Sequence, residues 1–114
     1  MIEIIQFPAF TRRLDAIAKA QADQVLLAIE SDLMENPERG DLVPGLAGIR
    51  KARTPDPTRG KGKRGGFRYL YYYIEKDGQI FLMFLFNKDE QEDLSPEQKK
   101  RVREMVAALK GAKR

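Results

Sequence analysis

The chain contains neither cysteine nor histidine. Without cysteine there is no disulfide framework, no thiolate metal ligand and no thiol nucleophile, and the absence fits a reducing compartment. Without histidine, the commonest metal ligand and the commonest general base are missing as well. Any catalysis therefore falls to Lys, Arg, Tyr, Asp or Glu. No carboxylate cluster has obvious metal-site spacing, so neither a metal nor another cofactor is expected. Long apolar runs are also absent: the longest, residues 80–86, is too short to cross a bilayer. The first ten residues, MIEIIQFPAF, lack the basic start and apolar stretch of a signal peptide. The expectation is a soluble, cytoplasmic protein with no membrane association.

What is present is 114 residues, enough for one domain over 1–114 with a core of its own. The net charge of +4 is unevenly placed. Arg50, Lys51, Arg53, Arg59, Lys61, Lys63, Arg64 and Arg68 fall in one segment against a single acid, Asp56, so that segment carries +7 and the remainder −3. A local field of that sign suits a polyanion, of which nucleic acid is the commonest in a cytoplasm; a solvated basic loop without a partner is the competing reading.

The apolar run 2–7 predicts a buried strand. Pro8 suits the first turn of a helix whose inner face is Phe10, Leu14 and Ile17. A second helix with Val25, Leu26, Ile29 and Leu33 inside should end at Asn36, because Pro37 disfavours helical geometry before it. A turn follows, then a strand over about 46–53 and a flexible basic loop at 54–66, TPDPTRGKGKRGG, whose prolines and glycines exclude regular structure. Strands at 67–75 and 79–86 flank Asp77-Gly78, the signal for a two-residue hairpin turn. Strict alternation would place Phe81, Met83 and Leu85 on one face and Leu82, Phe84 and Phe86 on the other. Ser95, Pro96 and Gln98 form a capping box opening a last helix with Val102, Met105, Val106 and Leu109 inside. The order β-α-α-β-β-β-α predicts a small α+β domain, helices packed on a mostly antiparallel sheet of about four strands. Tyr69, Tyr71, Tyr72 and Tyr73 could form a base-stacking platform, but core packing is the better default for most of them, since neighbours alternate across a sheet.

Several words occur in a fixed order: NP at 36–37 with GD at 40–41, Gly45, GIRKAR at 48–53, GKGKRGGFR at 60–68 with YY at 71–72, NKDE at 87–90, then DL at 93–94 and Gln98. As an ordered set they resemble the RelE/HigB superfamily of bacterial toxins, nearest the HigB-type branch. The resemblance implies a small RelE-like domain that enters the ribosomal A site and cleaves mRNA there. It also implies a cognate helix-turn-helix antitoxin that covers the basic surface.

Cleavage without histidine or metal is most economical by attack of the ribose 2′-hydroxyl on the adjacent phosphate, leaving a 2′,3′-cyclic phosphate and a 5′-hydroxyl. It needs cations where phosphate charge develops, and groups that move protons. Arg68 is the first candidate to grip the scissile phosphate, since its planar fork can hold two oxygens. Lys51 and Arg53, at alternate strand positions, share a face, and by resemblance they match basic catalytic positions of the family. Lys88 is a candidate for electrostatic stabilisation or proton transfer. Lys61, Lys63 and Arg64, in glycine context, are assigned to RNA backbone binding together with Arg59 and Arg50.

A strict two-residue turn would pair Arg68 with Asn87 and turn Lys88 to the opposite face, so their joint action requires a bulge, another turn, or a chain that has left the sheet by Lys88. Asp89 and Ser95 stand where the RelE-type pattern has an arginine and a catalytic tyrosine. Either the chemistry rests on Lys88 and the loop cations, or cutting is slow or absent. A ParE-like gyrase poison on the same scaffold and a degenerate RNA-binding module are the alternatives.

Overall fold

The structure is a computed structural model and describes residues 2–59, 66–88, 91 and 93–112. β1 (Glu3–Gln6) leads into α1 (Pro8–Ala18), where Pro8 at the first turn lacks an amide that would have had no intrahelical partner anyway. A short 3₁₀ turn at Lys19–Gln21 joins it to α2 (Ala22–Glu35), and the helix stops one residue before the Asn36-Pro37 pair. Then come β2 (Asp41–Leu42), β3 (Arg50–Thr54), β4 (Phe67–Ile74), β5 (Gln79–Asn87) and α3 (Pro96–Ala112). At the start of α3 the Ser95 hydroxyl accepts the Gln98 amide at 3.1 Å, and the Gln98 side chain accepts the Ser95 amide at 2.9 Å, a reciprocal capping box.

The strands form one mixed sheet in the order β1-β5-β4-β3-β2, with β1 parallel to β5 and the other pairs antiparallel. β2 is an edge strand of two residues, too short to show a sequence period, and it raises the strand number from about four to five. β3 starts at Arg50, later than expected, because Gly45, Ala47 and Gly48 all take positive φ and keep the preceding chain out of the sheet.

Both sheet faces are covered. On one, Phe10 and Leu14 of α1 and Val25, Ile29 and Leu33 of α2 pack with Ala52, Tyr69, Tyr71, Ile80, Leu82 and Leu85. On the other, Leu94 and Val102 and Val106 of α3 pack with Leu70, Phe81, Met83, Phe84 and Phe86. Tyr69 and Tyr71 are therefore core residues, closed to base stacking.

The β4–β5 hairpin departs from the expected register in two ways. Ile74 pairs with Gln79, so four residues make the connection: a 3₁₀ turn at Glu75–Asp77 closed by Gly78 in the left-handed region at φ 61°. Asp77 keeps a negative φ, which rules out the two-residue type I′ turn. Further along, Tyr71 pairs with Leu82 but Leu70 with Phe84, leaving Met83 as an extra residue in β5. The alternation breaks there, so Met83 and Phe84 both join the α3-side core, and Leu85 joins the α1/α2 side. The bulge falls where the parallel partner ends: β1 pairs only as far as Leu82, whose carbonyl accepts the Phe7 amide at 2.9 Å. Beyond it, Arg13 of α1 donates from Nε to the Leu85 carbonyl at 3.0 Å and stands 5.6 Å from the centroid of the Phe84 ring.

Tyr71 links the core to the turn before β2. Its hydroxyl donates to the Pro37 carbonyl at 2.8 Å and accepts the Gly40 amide at 2.9 Å. Gly40 lies so close that a Cβ there would stand 2.9 Å from the Lys51 carbonyl oxygen and 3.0 Å from the Tyr71 ring, so only glycine fits. Tyr69, with its ring centroid 5.8 Å from that of Tyr71, has a buried hydroxyl with no hydrogen-bond partner among the described residues.

These neighbours should respond oppositely to the same substitution. Tyr71→Phe leaves a buried carbonyl and amide unmatched and should lower the unfolding free energy by about 1–3 kcal/mol. Tyr69→Phe removes an unpartnered hydroxyl and should be neutral or stabilising; urea denaturation of both variants checks the contrast. Alkaline pH gives a second test. Burial holds both phenols above the ordinary tyrosine value of 10.0; for Tyr71 the Gly40 amide and nearby arginines oppose it. The unfolded chain then gives up these protons before the folded one. Stability is complete below about pH 10 and falls as the pH rises past it, less steeply in Tyr69→Phe than in the parent, as a urea midpoint series would show.

Candidate functional site: a cationic cleft at the sheet edge

The extra residue in β5 decides what the sheet presents beyond the cover of α3. Arg68 pairs with Phe86 and so shares its face, and Lys88 lies two residues past Phe86 on that same side. The four-residue connection alone would shift the pairing by two and leave Arg68 and Lys88 on opposite faces. The single bulged residue reverses that parity. Across the sheet Arg53 stands directly opposite Arg68, Lys51 is two residues along β3 on the same side, and Asp41 of β2 stands directly opposite Lys51. Asp41, Lys51, Ala52, Arg53, Arg68 and Lys88 line a cavity of about 250 Å³. A neighbouring one of about 220 Å³ shares Asp41, Lys51, Ala52 and Arg53 and adds Arg39.

Arg68 is the least exposed of the four cations: it is only 7% exposed, at the border where the buried Leu70 and Phe86 give way to charged residues. Burial first, and the facing Arg53 guanidinium second, push its pKa down from the arginine value of 12.5. Both effects oppose positive charge, and an arginine does not escape by deprotonating. Arg68 therefore keeps its positive charge beside that of Arg53. Lys88 is exposed at the end of β5 and Lys51 half-buried in β3.

At the start of α3, the Asp93 carboxyl lies below the ordinary carboxylate range. Its burial raises it, but the Leu94 amide at 2.8 Å, the Lys99 ammonium at 3.3 Å and the charge of Lys51 outweigh that. Asp93 thereby fastens the first turns of α3 through Lys99.

Of the candidates named from sequence, Lys51, Arg53, Arg68 and Lys88 meet in this cleft. Arg50 stands apart. It pairs with Tyr71 on the other face, and its guanidinium donates to the Gly40 carbonyl at 2.7 Å, the Glu38 carbonyl at 3.3 Å and the Glu38 carboxylate at 3.3 Å, fastening the turn before β2. Arg59 sits in the turn after β3, its amide bonded to the Asp56 carbonyl at 3.1 Å, and lines neither cavity. Lys61, Lys63, Arg64 and Asp89 lie outside the described residues. Gly66, directly before β4, packs against the end of β3: a Cβ there would collide with the Thr54 carbonyl and approach the Asp56 amide to 2.9 Å. Ser95 is the helix cap expected of it. Asp41 and Arg39 were not singled out. The GD word at 40–41 marked the place, but a two-residue edge strand gives no periodicity from which to read a side chain's direction. No group of three or more acids among the described residues is placed to hold a metal ion.

The fold has known counterparts. The toxin–antitoxin complex RelBE2 of Mycobacterium tuberculosis matches with a TM-score of 0.59 and 19% identity over 75% of this chain and 96% of that one. The isolated RelE toxin of E. coli matches with a TM-score of 0.56 and 13% identity over 92% and 99%. The intact E. coli RelBE complex gives 0.54 and 15% over 76% and 96%. At these identities the likeness is one of fold. The sequence itself, from residue 10 to residue 114, matches the family model described as the RelE toxin of the RelE / RelB toxin–antitoxin system. With nearly its whole length inside that match, the chain belongs to the RelE toxin family.

Proposed function

We propose that this protein is the toxin of a type II toxin–antitoxin pair and that it cleaves mRNA in the ribosomal A site, without a metal, by attack of the 2′-hydroxyl on the neighbouring phosphate. The observation that carries the reading is the facing pair Arg53 and Arg68, with Lys51 and Lys88 in the same cleft. Two guanidiniums across one strand gap suit the non-bridging oxygens of a single phosphate, whose charge grows in the transition state. Arg68, held by packing, is the rigid member. Lys88, exposed in the same cleft, is proposed to protonate the departing 5′-oxygen, with Lys51 adding charge from the flank. Arg59, Lys61, Lys63 and Arg64 are proposed to hold the RNA backbone on either side. Arg50 belongs with the scaffold rather than the RNA. The partner is an antitoxin with a helix-turn-helix that masks the cationic face with acidic or apolar segments, and the site of action is the cytoplasm, where ribosomes are.

The test is a translation reaction charged with purified protein, with mRNA ends mapped and a parallel reaction lacking ribosomes. Cleavage only with ribosomes, at A-site positions and with 2′,3′-cyclic phosphate ends, is the expected result. Arg68→Ala should slow it about 10²–10³-fold. Intact mRNA, or cleavage indifferent to ribosomes, would contradict the proposal. Arg50→Gln offers the contrast: it should lower the urea midpoint by loosening the turn before β2, and it should slow cleavage by the folded protein far less than Arg68→Ala does.

A further inference from the structure

The cleft has an excess of donors and a shortage of acceptors. Arg53 and Arg68 offer only N–H groups, and protonated Lys51 and Lys88 do the same. A ribose 2′-hydroxyl that attacks phosphorus must hand its proton to an acceptor. In a chain without histidine, the acceptor among the described side chains lining both cavities is one residue, Asp41.

Its placement is enforced from three sides. The Gly40 amide is held by the Tyr71 hydroxyl, the Gly40 carbonyl is held by Arg50, and Gly40 presses against the Lys51 carbonyl where no larger residue fits. The backbone of residue 41 is then paired with that of Lys51, which turns Asp41 to the side occupied by Lys51, Arg53, Arg68 and Lys88. A glycine contact, a buried tyrosine and an arginine all fix Gly40, the residue directly before this exposed carboxylate at the sheet edge.

We propose that Asp41 is the base of this site. The inference rests on the RNA-cleavage reading above. The carboxylate takes the 2′-hydroxyl proton as that oxygen forms its bond to phosphorus. The bond from phosphorus to the 5′-oxygen breaks with its electron pair, and the departing oxygen takes a proton from the Lys88 ammonium. The products are a 2′,3′-cyclic phosphate and a 5′-hydroxyl. Proton exchange with water returns Asp41 to the carboxylate and Lys88 to the ammonium.

The test is single-turnover cleavage of mRNA bound to the ribosome by the parent, Asp41→Asn and Lys88→Ala. It uses ordinary RNA and RNA carrying sulfur in place of the 5′-bridging oxygen at the scissile position. A sulfur leaving group departs without protonation, so it compensates for a missing acid and not for a missing base. Asparagine keeps the size and hydrogen bonding of aspartate but cannot accept the proton. Asp41→Asn should fold normally, bind the loaded ribosome as the parent does and cleave about 10²–10⁴-fold more slowly on both substrates. Lys88→Ala should be slow on ordinary RNA and restored by sulfur. Asp41→Asn cleaving at the parental rate, losing only affinity, or being restored by sulfur would each overturn the assignment. A parent that cuts neither substrate would overturn the cleavage reading itself, and the base with it.

Discussion

One extra residue in β5 governs the functional face of this molecule. With Met83 bulged out of the ladder, the pairing changes parity between Tyr71 and Leu70, and everything towards Asn87 is turned over relative to a regular hairpin. Arg68 and Lys88 thereby come to the side that already carries Lys51 and Arg53. The bulge is supported by what surrounds it. β1 stops pairing at Leu82, Arg13 satisfies a carbonyl of the uncovered edge, and both Met83 and Phe84 find room in the core beneath α3. A local irregularity is thus held in place by apolar burial.

The two faces of the sheet divide the work. The α1/α2 side holds the apolar core with its two tyrosines, the buried Thr54 and, at the margin, Arg50, and it anchors the chain through the Tyr71 hydroxyl to the turn that leads into β2. The α3 side is apolar under the helix and cationic beyond it. Arg68 at the border is nearly buried and faces a second guanidinium across the strand gap.

Most of the architecture was legible from sequence. The helix boundaries at Pro8, Asn36-Pro37 and Ser95-Pro96 were, because caps and prolines act over two or three residues. The strands over 67–74 and 79–87 were, because aromatic and apolar runs mark them. The four cations of the cleft could be named by type and position, but their meeting could not be read from a two-fold period. That period assigns faces correctly only while the ladder is regular, and nothing in the run QIFLMFLFN, apolar at every inner position, marks which residue is extra. Arg50 failed to join the others for a related reason: adjacent strand residues oppose one another, so a basic cluster in sequence divides between the two faces. Asp41 was hidden by the brevity of its strand.

The register of β4 against β5 therefore decides whether the four cations share a cleft, and cross-strand nuclear Overhauser contacts in isotope-labelled protein measure it directly. Backbone contacts should place Phe67 opposite Asn87 and Arg68 opposite Phe86, with Met83 unpaired between Leu82 and Phe84. Contacts placing Arg68 opposite Asn87 in an unbroken ladder would put Arg68 and Lys88 on opposite faces and dissolve the cleft.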